Sequence, residues 1–177
     1  SWEDISKIAA AGLASQYWSV GATKTITING KVGTLSLSNL SVDVFILGFD
    51  HNSSVEGSNR IHFQIGKISS KLIGLIDGGY NSYDTNGTKY FNMNHWGNYN
   101  YGGWAGCDLR YDVLGSTDVA PSGYGSAVTT SRVGYNASAT CATNPVANTL
   151  MAALPADLRA VMKGVTKYAD AVGNGSN

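Results

Sequence analysis

The sequence predicts an α+β fold: an N-terminal helix, an antiparallel sheet, long loops and short C-terminal helices. Two periodicities carry this prediction. Apolar residues recur at 3- to 4-residue steps near both ends of the chain, while residues 23–65 alternate apolar and polar side chains. Composition supplies the third observation: the chain is 43% hydrophobic, enough to bury a core.

Ser1-Trp2-Glu3-Asp4 is a helix start. Ser1 is placed to cap, acids occupy the first turn, and S-x-x-D resembles a capping box. Trp2, Ile5, Ile8 or Ala9, Leu13 and Tyr17 then form one apolar stripe, and Gly21 follows as the stop. From Thr23 the period becomes two. Thr23 to Ile28 is a strand, Asn29-Gly30 is a two-residue hairpin signal, and Lys31 to Leu40 is the return strand. Val42 to Phe49, VDVFILGF, is nearly continuous in apolar residues, as expected of a central strand buried on both faces. Asp50 to Ser54 is a polar turn. Arg60 to Ile65 is a further strand with Ile61, Phe63 and Ile65 inward, and Ser69 to Ile76 fits a short helix or a strand.

Gly106 to Leu114 is expected as a short helix, and Gly115 to Thr143, rich in Gly, Ser, Thr and Ala, as a loop-rich insertion. Asn144 as cap and Pro145 in the first turn restart a helix whose inner stripe is Val146, Leu150, Ala153 and Leu154. Pro155 to Lys163 forms a last helix around Leu158, Val161 and Met162, stopped by Gly164. Residues 1–177 are expected to make a single domain. The chain opens SWED without an initiating Met or a signal-peptide pattern, so a processed form or a piece of something longer is expected.

Charge narrows the partners. Charged residues make up only 14%, against about 25% in a typical soluble domain, and 12 Lys plus Arg balance 12 Asp plus Glu. A neutral chain without a basic stretch is not built for nucleic acid or an anionic membrane surface. No run of about 18 apolar residues is present, so no membrane insertion is expected. Low charge and exposed aromatics favour self-association or incorporation into a larger assembly.

The segment 80–104, YNSYDTNGTKYFNMNHWGNYNYGGW, is the strongest functional signal. Aliphatic residues are almost missing from it, whereas Tyr, Trp, Asn, Ser and Gly are the residues that binding loops favour. Aromatics give rigid contact area, and amides and hydroxyls bond adaptably. The candidate ligand-binding residues are Tyr80, Tyr83, Tyr90, Asn94, His95, Trp96, Asn98, Tyr99 and Tyr101. These aromatics can stack on pyranose faces or on protein side chains, while the Asn amides bond hydroxyls. Gly102 to Arg110, GGWAGCDLR, is read as scaffold: Trp104 drops into the core between tight glycine turns, Gly106 belongs to the turn, and Arg110 ties neighbouring carbonyls. Asp50 and His51 are read as a turn-shaping pair.

Catalytic and metal signatures are missing. There is no GxSxG, HExxH or P-loop pattern, and Glu3 and Glu56, the only glutamates, make no glycosidase pair. The three His lie far apart in sequence, and neither a CxxC zinc pattern nor a Glu-Pro-Asn or Gln-Pro-Asp triplet occurs. Calcium needs about 6 to 8 oxygen ligands, and Asp77, Asp84 and Asn86 form only a weak set for it. No cofactor, metal site or catalytic residue is assigned. Cys107 and Cys141, the only cysteines, fit one disulfide or two free thiols equally well.

SWEDISKIAAAGLASQYWSVGATKTITING, VDVFILGFDHN, GGWAGCDLR and LMAALPADLRAVMKGVTK, in that order, resemble a domain family of bacterial surface proteins and bacteriophage tail or fibre proteins. The family is similar to C-type-lectin-like folds. Trp2, Asp50, His51, Trp104, Gly106, Leu109, Arg110, Leu154, Pro155 and Leu158 match its pattern; residues 115–143 do not. The resemblance implies a non-enzymatic module, on a virion or bacterial cell surface, for adhesion to a host glycan or protein. A structural fibre or decoration domain, with the aromatics in a subunit interface, is the alternative. It also implies that the family pattern extends past Asn177 into a further exposed, Trp- and Asn-rich surface.

Overall fold

The computed structural model describes residues 1–32, 35–51, 53–66, 114–115, 133–136, 143–164 and 166–169. Its elements are α1 (Trp2–Ala10), α2 (Ala14–Tyr17), β1 (Thr23–Val32), β2 (Leu35–Phe49), α3 (Ser53–Glu56), β3 (Ile61–Ile65), β4 (Val133–Asn136), α4 (Leu150–Ala153), α5 (Ala156–Val161) and β5 (Thr166–Ala169). Helices and an antiparallel three-stranded sheet, in the order β1-β2-β3, make this an α+β protein. The chain forms two compact units. One comprises Ser1–Asn29, Ser38–Ile73 and Leu154–Met162, and the other Gly30–Leu37, Gly74–Ala153 and Lys163–Asn177.

The first unit starts with the capping box that the sequence spells out. The Ser1 hydroxyl accepts from the Asp4 amide at 3.1 Å and donates to Asp4 Oδ2 at 2.7 Å, and the Asp4 carboxylate in turn accepts from the Ser1 backbone nitrogen. The Ser1 hydroxyl, then its amino group, hold the Asp4 carboxyl below the ordinary carboxylate range. A depressed carboxyl stabilises the folded state above its unfolded value and loses that contribution as pH falls through its folded one. Acidification below about pH 4 is therefore expected to fray α1. In the Asp4→Asn variant, acid-induced loss of helical circular dichroism at these residues should be smaller.

Trp2 and Ala9 are the buried residues of α1, and the helix packs on α5. The helix stops earlier than the apolar stripe predicts. Gly12, at φ +74, donates to the Ala9 carbonyl at 2.8 Å, and Leu13 donates to the Ile8 carbonyl at 3.1 Å, which together form a Schellman cap. Asn59 seals this end: its amide nitrogen donates to the Ala10 carbonyl at 3.1 Å, and its Oδ1 lies 3.2 Å from where a Gly12 Cβ would sit. The chain therefore turns at Gly12, not at Gly21. The break rotates the next residues off the stripe, so Tyr17 is 62% exposed and Leu13 is also at the surface, while Ala14 is buried.

β1 is joined at its start to the central strand, where Gly21 donates to the Ile46 carbonyl at 2.8 Å and Ile46 to the Ala22 carbonyl at 2.9 Å. Ile26 and Ile28 are buried and alternate with exposed Thr25 and Thr27. Contrary to the hairpin signal, β1 runs straight through Asn29-Gly30 to Val32, and β2 begins at Leu35. The Asn29 side chain is otherwise engaged: its Oδ1 accepts from the backbone amide of Asn39 at 2.6 Å, and Asn39 has a φ of 48 within β2. A local cross-strand bond thus outweighs a turn propensity.

β2 is central, as expected, but it is not buried on both faces. Val42, Val44 and Ile46 are buried, Asp43 is exposed, and Leu47 is 50% exposed. The register with β3 pairs Ile46 with Phe63 and Gly48 with His62, so Leu47 is the extra residue of a β-bulge. Outward Asp43 is bound across the sheet by the Thr25 hydroxyl at 2.6 Å. On β3, Phe63 packs edge-on against Trp2, whereas Ile65, expected inward, is exposed at the end of an edge strand.

α5 begins after Pro155 and ends at Val161, with Met162 already extended. Leu158 and Val161 are half-buried, and Met162, expected inward, is exposed. An exposed short helix covers only part of its apolar side.

In the second unit, Val32, Leu37, Leu150 and Ala153 are buried. The helix expected from Pro145 is confined to α4, four residues from Leu150. Asn148 adopts φ 60, which a helix excludes, and Val146 is exposed. Thr149 takes over as the local cap, its hydroxyl accepting from the Ala152 amide at 3.5 Å and donating to the Val146 carbonyl at 2.7 Å. β4 and β5 pair antiparallel, Val133 opposite Ala169 and Asn136 opposite Thr166. The span read as a loop-rich insertion therefore contains a strand, and residues past Gly164 form its partner. Four-residue strands leave too short a pattern for sequence periodicity to register.

Candidate functional site

Tyr80, Tyr83, Tyr90, Asn94, His95, Trp96, Asn98, Tyr99 and Tyr101 lie outside the described residues, as do Trp104, Gly106 and Arg110. The same holds for Cys107, Cys141 and the Asp77, Asp84 and Asn86 set, for the element expected over Ser69 to Ile76, and for all but Leu114 of the helix expected over Gly106 to Leu114. The described part of the site prediction is Asp50 and His51, and they sit at the turn between β2 and β3.

That turn is built from the end of β2 outward. Asp50 follows Phe49 with φ 49, a left-handed conformation that Asp tolerates better than most residues. Its backbone amide donates to the Arg60 carbonyl at 3.1 Å, its Oδ1 accepts from the Arg60 amide at 2.7 Å, and its carbonyl accepts from the Ser53 amide at 3.2 Å. Asp50 thereby closes both sides of the turn between β2 and β3 and starts the single turn of α3 between them.

Three side chains meet over this turn. His62 is paired with Gly48 in the register and points to the sheet face opposite Phe63. Gly48 leaves room above the strand, and His51 Nδ1 lies 3.6 Å from the position a Cβ there would occupy. The His51 and His62 rings have centroids 3.8 Å apart and are inclined by 50°. His62 Nε2 stands 3.4 Å from Glu56 Oε2, with the Glu56 side chain fully buried and that of His62 13% exposed. The two atoms make an ion pair only when His62 is protonated, and 3.4 Å is longer than a charge-assisted hydrogen bond.

The arrangement can hold and exchange a proton: a buried carboxylate beside one imidazole, which is stacked on a second, exposed imidazole. Among the described residues, no group of three or more His, Cys, Asp or Glu is arranged to hold a metal ion. No described helix is long and apolar enough to cross a membrane.

Sequence reasoning singled out Asp50 and His51 but missed their partners. His62 had one signal, its place between Ile61 and Phe63, which sends it to the face opposite Phe63. Glu56 had none, since a glutamate in a polar stretch is ordinarily solvated. No family model matches the chain, and neither a curated protein nor a solved structure does.

Proposed function

We propose that the chain is a non-enzymatic binding module displayed on a phage virion or bacterial surface, and that it grips a host-surface glycan or protein through the run Tyr80 to Tyr101. The observation that carries this reading is composition: Tyr, Trp, Asn and Gly with almost no aliphatic side chains, in a chain with very low charge. Support also comes from the ordered resemblance to surface and tail proteins, and a C-type-lectin-like arrangement is the finer fold we propose with it. The α+β frame and the tightly tied β2–β3 turn are compatible with a module whose recognition is confined to one segment.

A second reading, a fibre or decoration domain that buries these aromatics between subunits, rests on the same low charge and aromatic content. The two diverge in one experiment. On a glycan array, the chain should bind a defined set of sugars. The Trp96→Ala, Tyr99→Ala double variant should bind them about tenfold or more weakly, as expected for aromatic hot spots, with unchanged circular dichroism. Equal binding by both proteins removes the run from the site. A double variant that leaves no binding to compare but dissociates a wild-type oligomer in sedimentation supports the structural reading.

A further inference from the structure

The antiparallel sheet of the first unit ends in two edges, β1 and β3, and the two are built differently. We propose that β3 is a self-pairing edge: two copies of the chain join β3 to β3, antiparallel about a two-fold axis at Phe63, and make one continuous sheet. This pairing goes beyond the binding role proposed above and does not depend on it, since β3 lies outside the run Tyr80 to Tyr101.

The bonds to β2 decide which main-chain groups of β3 point outward. Asp50 donates to the Arg60 carbonyl at 3.1 Å, and Gly66 donates to the Asp43 carbonyl at 2.7 Å. Between these ends Gly48 stands opposite His62 and Phe45 opposite Gln64. The bulge lies in β2, so the alternation along β3 is unbroken. Arg60, His62, Gln64 and Gly66 therefore turn their main-chain groups to β2. Ile61, Phe63 and Ile65 turn theirs the other way, and no strand among the described residues lies on that side. Such a row of N–H and C=O groups is a template for another strand.

Side chains leave this edge unguarded. Edge strands are ordinarily protected by Lys, Pro, a bulge or an irregular backbone. β1 has such devices: Lys24 and Lys31 stand on it, and Gly30 at φ +133 interrupts its regular course. β3, Ile-His-Phe-Gln-Ile, carries no Lys, Asp, Glu, Pro or Gly.

A second copy is the occupant that this edge fits. Pairing about Phe63 sets Ile61 opposite the partner's Ile65, Phe63 opposite the partner's Phe63 and His62 opposite the partner's Gln64. Apolar residues thus face apolar ones and polar residues face polar ones, with no carboxylate or ammonium set against its own copy. The 12 basic and 12 acidic residues of the chain cancel, so no net charge opposes association. Ile65, exposed in the single chain, is covered by the partner's Ile61. A strand of five residues buries less than a standard interface of about 1,600 Å², so the dimer is weak and concentration-dependent.

Sedimentation velocity from about 1 µM to about 1 mM should show monomer passing into dimer. At a protomer concentration about ten times the dissociation constant, about a fifth of the chain is monomer, so the Ile61, Phe63 and Ile65 amides should exchange about fivefold more slowly than in a dilute sample. The Gln64 and Gly66 amides, already directed to β2, should not change. Ile65→Lys places a charge on the edge and should weaken association by about tenfold, with unchanged circular dichroism. If Ile65→Lys does not fold, the wild-type exchange pattern decides alone. A chain that stays monomeric throughout, a dimer whose Ile61, Phe63 and Ile65 amides exchange as in the monomer, or a folded Ile65→Lys that associates like wild type overturns the proposal.

Discussion

Trp2→Ala is expected to destabilise the first unit by about 3–5 kcal/mol, the cost of emptying a packed aromatic site. Trp2 is only 4% exposed although it stands second in the chain. Its ring meets Phe63 edge-on, centroids 5.3 Å apart and planes at 83°, a geometry worth about 0.5–1.5 kcal/mol beyond area burial. Lys24 Nζ lies 5.5 Å from the same ring, a cation–π contact that adds about 0.5–1 kcal/mol at a partly exposed position. One side chain thus joins α1, β1 and β3. Urea unfolding monitored by far-ultraviolet circular dichroism measures the loss. Trp2→Phe should recover much of it, because a smaller aromatic still reaches Phe63. A loss below about 1 kcal/mol for Trp2→Ala would mean that α1 is not anchored through this residue.

In the second unit, Gly115→Ala is expected to cost about 2–5 kcal/mol, combining left-handed backbone strain with overpacking. Gly115 has φ +84 and is buried. A Cβ there would lie 2.5 Å from Thr149 Oγ1 and 2.9 Å from Thr149 Cβ, far inside normal contact. Thr149 is itself 3% exposed and bonded to the Val146 carbonyl, so it has little freedom to retreat. Gly115→Ala should therefore disturb the start of α4 as well. Hydrogen exchange at the Ala152 and Ala153 amides, which lie within bonding reach of the Thr149 hydroxyl and carbonyl, reads this directly. Unchanged protection at these two amides would show that the Gly115–Thr149 contact yields without strain.

Both predictions involve positions whose importance differs in how plainly the sequence shows it. Trp2 is visible as the first apolar residue after a cap. Gly115 looks like any glycine in a glycine-rich stretch, and only Thr149, 34 positions later, makes it necessary. The candidate site divides in the same way. Asp50 and His51 stand out as a polar break after VDVFILGF, but only the folded turn shows that Arg60 closes it, that His62 stacks on His51 and that Glu56 lies beside His62. The Tyr and Trp run at residues 80–104 is legible as chemistry, and the proposal built on it rests on that chemistry.

What the sequence alone determined are the features written within one turn or one strand. The Ser1–Asp4 capping box, the alternation around Ile26 and Ile28, the central place of VDVFILGF and the start of a helix after Pro155 all depend on neighbours a few residues away. The tertiary structure decided where those elements stop and which polar groups are buried. Asn59 ends α1 at Gly12, Asn39 draws Asn29 out of a turn, the β2 bulge turns Leu47 outward, and Thr166–Ala169 gives residues 133–136 a strand partner. Each of these is a bond or contact made across the fold. Its energy is comparable to a local propensity of about 1 kcal/mol, and only the folded chain reveals which of the two prevails.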